Sequence, residues 1–428
     1  MKNLLKTVSS LLLSHGCLLI GNGLFMTLLS LRANLEGFST ELIGLIMSGY
    51  FVGLFIGARY SSKLVSRVGY IRAFSAFASL ISITPLLHLF WVSPVFWFTL
   101  RVFAGFAMAG MLMVTESWLN ASANNKNRGS LLAIYMVINF LGAGMAQLLL
   151  FAHDPSDYQL FTLTSIFFSL CLLPVTLTKT PAPQPDPSGP LKILPTLRNT
   201  PVGFYGAICA GLMNASFNTM GPLFALELGL SARQISMFMA LGICSGLVLQ
   251  SPIGKLSDRI ERRKVIVMVS TLVSLCCLII TLQVIMGYQL SWLLVSIFLY
   301  GSLAFTTYSL AAAHCNDWAD PERRMQTTGA LLVGFSIGAI SGPLISGSLM
   351  GLVGPAGLFS FIGIVALLLA LYTLSKISAK HTRSRLKSPY IPRPGSYYTS
   401  GELYRAVQKS SKISQTEAEE DKPKEKNH

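Results

Sequence analysis

The sequence predicts an all-α membrane protein, with twelve transmembrane helices arranged as two pseudo-symmetric bundles of six. Three observations carry that prediction. Of 428 residues, 52% are hydrophobic and only 12% charged, and mean hydropathy is +0.57. Soluble domains carry about 25% charged residues, so this composition points away from water. Apolar runs of at least 18 residues then recur twelve times, each long enough to cross a hydrocarbon core of about 30 Å as a helix. Finally, the second six runs repeat the first six.

The runs lie at 8–31, 40–60, 71–92, 95–118, 129–152, 158–177, 202–226, 235–253, 265–286, 290–313, 328–350 and 354–375. They are continuous rather than alternating, which favours helices over barrel strands. The first, preceded by Lys2 and Lys6, has the flanks of a signal peptide. It is read as a span because no small-residue cleavage site follows and eleven more spans do. The Pro-rich stretch "TKTPAPQPDPSGPLK" at 178–192 divides the chain. This sets a first bundle at 1–177, a cytoplasmic linker at 178–201 and a second bundle at 202–377. Residues 378–428, rich in Ser, Lys, Glu and Pro, read as a disordered cytoplasmic tail.

The net charge of +15 is explained by where it falls. With both termini cytoplasmic, 30 of the 33 Lys and Arg lie in cytoplasmic loops or flanks; Arg32 and Arg233 lie outside, and Arg101 lies within a span. The opposite orientation inverts the positive-inside bias. The excess charge therefore sets topology, with some attraction to anionic lipid, and does not indicate nucleic acid. A multi-pass protein of a bacterial inner membrane is expected. The seven cysteines show no CxxC spacing, so neither a metal site nor a disulfide framework is expected. No phosphate-binding P-loop appears, which excludes an ATP-driven pump within this chain, and no cofactor is expected. No clustered His/Asp/Glu or Ser–Lys set lies at midplane depth, so an enzyme is not expected either.

A shift of 192 residues superposes Asn22 on Asn214, Gly37 on Gly229, Ser39 on Ser231, Ile43 on Ile235, Met47 on Met239, Leu64 on Leu256 and Arg67 on Arg259. A shift of 200 pairs Trp118 with Trp318, Gly129 with Gly329 and Gly142 with Gly342. Matches between apolar residues arise by chance; the Trp, Asn and Arg matches carry the weight. Six plus six spans in parallel repeat is the layout of a large class of transporters.

The loop "GKLSDRIERRK", 254–264, holds seven charged side chains in eleven residues between two nearly uncharged runs. It resembles the G-x-L-a-D-R-x-G-R-[RK] signature of the major facilitator superfamily through Gly254, Leu256, Asp258, Arg259 and Arg262, with Glu261 where that family usually has Gly. The first-half copy, "SKLVSRVGYIR" at 62–72, keeps Leu64, Arg67 and Gly69 but has Ser66 in place of the acid. Arg101, Gly105 and Ala109 match a second signature of the family, in the fourth helix. "GAISGPLISG" at 338–347 is similar to an antiporter motif, but stands in the eleventh helix rather than the fifth, so direction of transport does not carry over. "VTESWLN" at 114–120 resembles the uncharacterised YcaD-like bacterial branch. The resemblance covers residues 1–377 and implies the twelve-helix fold and secondary transport by alternating access.

A cytoplasmic gate is expected from the loop charges: Asp258 at the start of the fifth helix, Arg259 paired with Asp317, and Arg67 paired with Glu116. Within the spans, each charge is a functional candidate, because exposure to lipid costs several kcal/mol. Two roles are open to Arg101: holding an anionic group, or tying the fourth helix to a neighbour's carbonyls. Glu116 lies fifteen residues on, about 22 Å along the axis, too far for the two to pair. Glu116 and His15 are the candidates for proton coupling, with a gate role open to the former and a purely structural one to the latter. Asn22, Asn214 and Asn218 are the cavity candidates, ahead of Gln147, Asn139 and Gln250; interhelical hydrogen bonding is their alternative. Gly49, Gly53 and Gly57, like Gly334, Gly338 and Gly342, have the spacing of close helix contacts. The function expected is secondary transport of a small molecule by a monomer, with protons as a candidate co-substrate. The alternative is a sensor or scaffold that keeps the fold without transporting.

Overall fold

The computed structural model describes residues 2–122, 128–177, 194–318, 324–379 and 390. Residues 178–193 of the expected linker (178–201) and nearly all of the expected tail lie outside these residues. The described chain is helical, with no strand. The first half comprises α1 (Lys2–Leu35), α2 (Thr40–Val68), α3 (Tyr70–Phe90), α4 (Pro94–Ser122) and α5 (Arg128–Leu148), then a 3-10 turn Leu149–Phe151, α6 (Gln159–Leu170) and α7 (Leu172–Thr176). A short α8 (Leu194–Asn199) falls where linker is expected. The second half comprises α9 (Pro201–Glu227), α10 (Ala232–Cys244), α11 (Gly246–Arg259), α12 (Arg262–Met286), α13 (Leu290–Ala304), α14 (Thr307–Trp318), α15 (Arg324–Val353) and α16 (Ala356–Ala379).

Three of the expected spans are each built from two helices: α6 with α7, α10 with α11, and α13 with α14. Counted so, eleven segments are long and apolar enough to cross a membrane. The twelfth, α9, has the length, 27 residues, but carries Asn214, Ser216, Asn218 and Thr219 in its middle. All four are buried, so its polar groups face protein rather than lipid.

The internal repeat extends to backbone detail. The α1 C-terminus turns through Gly37 at φ 78°, with Gly37 N–H donating to Asn34 O (2.9 Å) and Phe38 N–H to Ala33 O (3.1 Å). The α9 C-terminus turns through Gly229 at φ 76°, with Gly229 N–H donating to Leu226 O (2.8 Å) and Leu230 N–H to Ala225 O (3.2 Å). Each is a Schellman cap requiring the left-handed region that glycine tolerates, and every position is displaced by 192. Ser39 and Ser231 then cap the next helices, accepting from Leu42 N and Gln234 N.

Inside each half the helices approach to backbone contact. A Cβ on Gly53 would meet the carbonyl of Val102, and one on Gly105 would meet that of Tyr50, so α2 and α4 pack without intervening side chains. The second half does the same between α9 and α15: a Cβ on Gly338 would meet Ile208 O and one on Gly211 would meet Phe335 O. The glycine rows read from spacing are these close contacts.

Between the halves, contact concentrates at one end, called here the far end; the other, where α2, α11 and α16 finish, is the charged end. At the far end Thr40 Oγ1 donates to Glu227 Oε1 (3.3 Å), Gly44 lies on the Pro343 carbonyl and Glu41 covers Gly351. Near mid-depth Cys244 sits on Gly144, and Phe140 fills the place a side chain at Gly246 would need. Toward the charged end α5 touches α11 only sparsely, and Tyr60 and Leu64 of α2 are exposed.

Enlarging Gly105 to Val should drive a side chain into α2. A loss of about 1–3 kcal/mol is expected from overpacking, read as a lowered melting temperature in detergent. Gly37→Ala, which meets no neighbour, should cost only the strain of its positive φ.

Candidate functional site

Three buried polar clusters lie in the helices. The first surrounds Arg101, in the eighth position of α4. Its guanidinium is fully buried, stacked 4.5 Å from the Tyr50 ring centroid and 5.4 Å from that of Phe25, with Nη2 2.6 Å from Met26 Sδ. No carboxylate pairs with it, and Nε and Nη1 have no hydrogen-bond partner among the described residues. Asn22 lies beside the Tyr50 hydroxyl, and Asn22 Nδ2 has no hydrogen-bond partner among the described residues. His88, not singled out from sequence, adds its ring 5.3 Å from Phe25 and from Trp97. The aromatic faces stabilise a cation partially, but a buried guanidinium without an anion retains much of its desolvation cost. The tie to neighbouring carbonyls is not seen among the described residues.

The second cluster joins the two proton-coupling candidates through a residue the sequence did not flag. Tyr135 Oη donates to Glu116 Oε1 (2.9 Å), and the His15 ring stacks on Tyr135 at 4.6 Å. Asn139 Nδ2 lies 3.1 Å from His15 Nε2 and also donates to Tyr135 O (2.7 Å). Because an amide N–H faces Nε2, the neutral imidazole carries its proton on Nδ1. All four side chains are buried. The spacing signal exists: Tyr135 and Asn139, at i and i+4, share one face of α5.

The third cluster is at the charged end. Arg262 is nearly inaccessible and bridges two acids: Nε to Asp317 (2.7 Å) and Nη2 to Asp258 (2.9 Å), with Nη1 on Ser257 Oγ (2.8 Å). This corrects the expected pairing: Arg259 is exposed and Asp317 is held by Arg262. Arg67 is likewise exposed, while Glu116 faces inward to Tyr135, so the Arg67–Glu116 pair is not formed. Ser66 Oγ bonds back to Lys63 O (2.9 Å) within its own helix.

Of the remaining candidates, Asn214 and Asn218 are buried in α9, and Asn218 Nδ2 donates to the Asn214 carbonyl one turn below (2.7 Å). Gln147 ties α5 to α1, accepting from Thr27 Oγ1 (2.7 Å) and donating to Gly23 O (3.2 Å). Gln250 Nε2 donates to Phe305 O (3.0 Å) at the break between α13 and α14. That break, and the one at Ser245 between α10 and α11, face Phe140 of the first half; neither was legible in the continuous apolar runs.

Removing Arg262 strands two acids, one of them almost wholly buried. Arg262→Gln should destabilise by roughly 3–5 kcal/mol, whereas Arg259→Gln should stay within about 0.5 kcal/mol. Melting of the two purified variants decides between the two arginines as the partner of Asp317.

Comparison with known proteins places this geometry. Residues 11–282 and 203–411 match the family model of the Major Facilitator Superfamily. An uncharacterised transporter of that type from Enterobacter sp. (strain 638) is 30% identical over 359 residues, covering 82% of this chain and 90% of its own. The uncharacterised transporter YcaD of Escherichia fergusonii is 28% identical, covering 83% and 91%. Among solved structures, the nucleoside transporter NupG superposes with a TM-score of 0.74 at 15% identity, covering 87% of this chain and 99% of its own. A bacterial homologue of the human lysosomal transporter Spinster, inward-facing and unoccupied, gives 0.65 at 14% identity over 95% and 97%. At that identity the structures show a shared fold. Matched by the family model in both of its repeated halves and by a 30%-identical relative along most of its length, the chain belongs to the Major Facilitator Superfamily of membrane transporters.

Proposed function

We propose that the protein is a secondary transporter that moves a small molecule with an anionic group by alternating access, with protons as the coupling ion. The observation that supports the reading most is Arg101: a buried guanidinium with two nitrogens unpartnered among the described residues, flanked by Asn22 and two aromatic rings. A carboxylate or similar group entering there would supply the missing charge, and Asn22 a neutral donor beside it. Asn214, the repeat-related residue of Asn22, and Asn218 would contribute from the second half. Burial that keeps a cation from water raises the return on pairing it.

For coupling, the reading rests on Glu116, Tyr135 and His15 as one contiguous buried group. A proton taken by the carboxylate or the imidazole would alter the Tyr135 hydrogen bond and hence the packing of α4 on α1 and α5. With both termini cytoplasmic, as the charge bias favours, the closed far end is periplasmic and the chain faces inward. Arg67, Asp258 and Arg259, all exposed in the state described, would then find partners when the charged end closes, while Asp317 stays on Arg262.

The primary test is a screen of small organic anions by thermal stabilisation, since a ligand that binds the folded state raises its melting temperature, followed by flux in proteoliposomes. Arg101→Ala should abolish both stabilisation and flux while the protein still folds. Arg101→Lys should rescue poorly, because an ammonium lacks the planar fork of donors. Normal flux in the alanine variant would leave Arg101 structural; stabilisation without flux would favour the sensor or scaffold.

Two further outcomes are expected. Glu116→Gln should uncouple flux from an imposed pH gradient while leaving counterflow of substrate intact. A reporter fused after Lys380 should be active only from the cytoplasm; periplasmic access to it would invert the topology.

A further inference from the structure

Among the described residues, Tyr390 lies beyond α16 and packs on the bundle. Tyr390 lies along a single face of α11, formed by Gln250, Gly254 and Asp258 at intervals of four. Its amide N–H donates to Asp258 Oδ1 (3.0 Å) and Oδ2 (3.3 Å), its ring covers Gly254, and its hydroxyl donates to Gln250 Oε1 (2.8 Å). Ser309 of α14 bonds the same hydroxyl. A Cβ on Gly254 would run into the ring, so the site is shaped for what fills it. Burial holds the phenol, protonated at neutral pH in any case, above its ordinary range.

We propose that Tyr390 is an intramolecular prop: docked on α11 and α14, it engages Asp258 and holds the charged end open. The proposal rests on the reading that Asp258 also serves closure at the start of α5, so docking and closure compete for one carboxylate. The occupant is fixed by the structure, since the tyrosine belongs to this chain. Gly254 and Asp258, two residues of the repeated loop signature, thereby acquire a second use in one half only. The first-half loop has Ser62 and Ser66 at the corresponding places, and Ser66 is turned back on its own helix.

The test uses the full chain in lipid nanodiscs. With Tyr390→benzoylphenylalanine, illumination should cross-link position 390 to peptides of α11 or α14; cross-links elsewhere, or none, overturn the docking. Spin labels at Ser130 and Arg259, with Cys17, Cys209, Cys244 and Cys276 replaced by alanine, then report the separation of α5 from α11. Tyr390→Ala should move the population toward the short, closed distance about tenfold, the scale set by one or two net hydrogen bonds. Tyr390→Phe, which keeps the ring and the amide, should move it less. An unchanged distribution in Tyr390→Ala, with the cross-link present, overturns the prop and leaves the tyrosine a packing contact. Asp258→Asn in the Tyr390→Ala background separates the two readings: if the closed population does not fall, Asp258 has no part in closure and the competition is overturned at that step.

Discussion

Where the surroundings are hydrocarbon, nothing like the hydrophobic effect draws one helix onto another, and the bundle rests on how closely backbones approach. The pairs α2–α4 and α9–α15 meet at Gly53, Gly105, Gly211 and Gly338, with carbonyls where side chains would stand. Close approach enlarges dispersion contact along the whole length of the pair. It also makes each half a stiff unit, because such contacts admit no gradual adjustment. Two stiff units joined mainly at the far end suit the rocking that the proposed alternating access requires.

Stiffness also fixes where polar groups are retained. Gln147 and Ser14 spend their capacity on neighbouring backbone and side chains, Ser14 Oγ on the Cys171 carbonyl (2.5 Å). They hold helices together and offer little to a substrate. Arg101 differs in kind, since its ring partners cannot neutralise it and no acid among the described residues pairs with it. The Glu116 cluster differs again, since a carboxylate, a phenol and an imidazole in mutual contact have more than one arrangement of protons. The two clusters sit on the same helix, about 22 Å apart along α4 by helical rise. A rigid α4 would carry a displacement at one to the other, as the proposed coupling requires.

Much of this was legible in the sequence, and the exceptions have a common cause. Gly37 and Gly229, Ser39 and Ser231 were found by register because local turn chemistry is written in adjacent residues. The glycine rows were found because their period is that of a helix. The partner of Asp317 was not, since five cations crowd the loop and spacing does not say which one turns inward. Burial decides it: Arg262 faces the bundle and Arg259 faces out. Tyr135 and Tyr50 escaped notice because an aromatic in an apolar run looks like core until its hydroxyl is placed. The breaks at Ser245 and at Phe305–Thr306 carry no proline or charge to mark them. Phe140 of the first half packs against both, a contact that the sequence alone does not place.

Arg262 shows how the charged end can be both anchored and mobile. One guanidinium serves two acids, but unequally. The Asp317 side chain is 4% exposed and that of Asp258 41%. Freeing Asp317 would leave a buried carboxylate unpaired, a cost of several kcal/mol. Freeing Asp258 costs less, because its carboxylate is accessible and water can replace the guanidinium. Asp317 is thus the fixed anchor and Asp258 the exchangeable ligand, able to leave Arg262 for another donor without unfolding the end of α11. In the first half the exchange has no counterpart, because Ser66 carries no charge and its hydroxyl is committed to Lys63 O. The proposed alternation would therefore depend at this end on the second-half loop, and on which donor Asp258 meets.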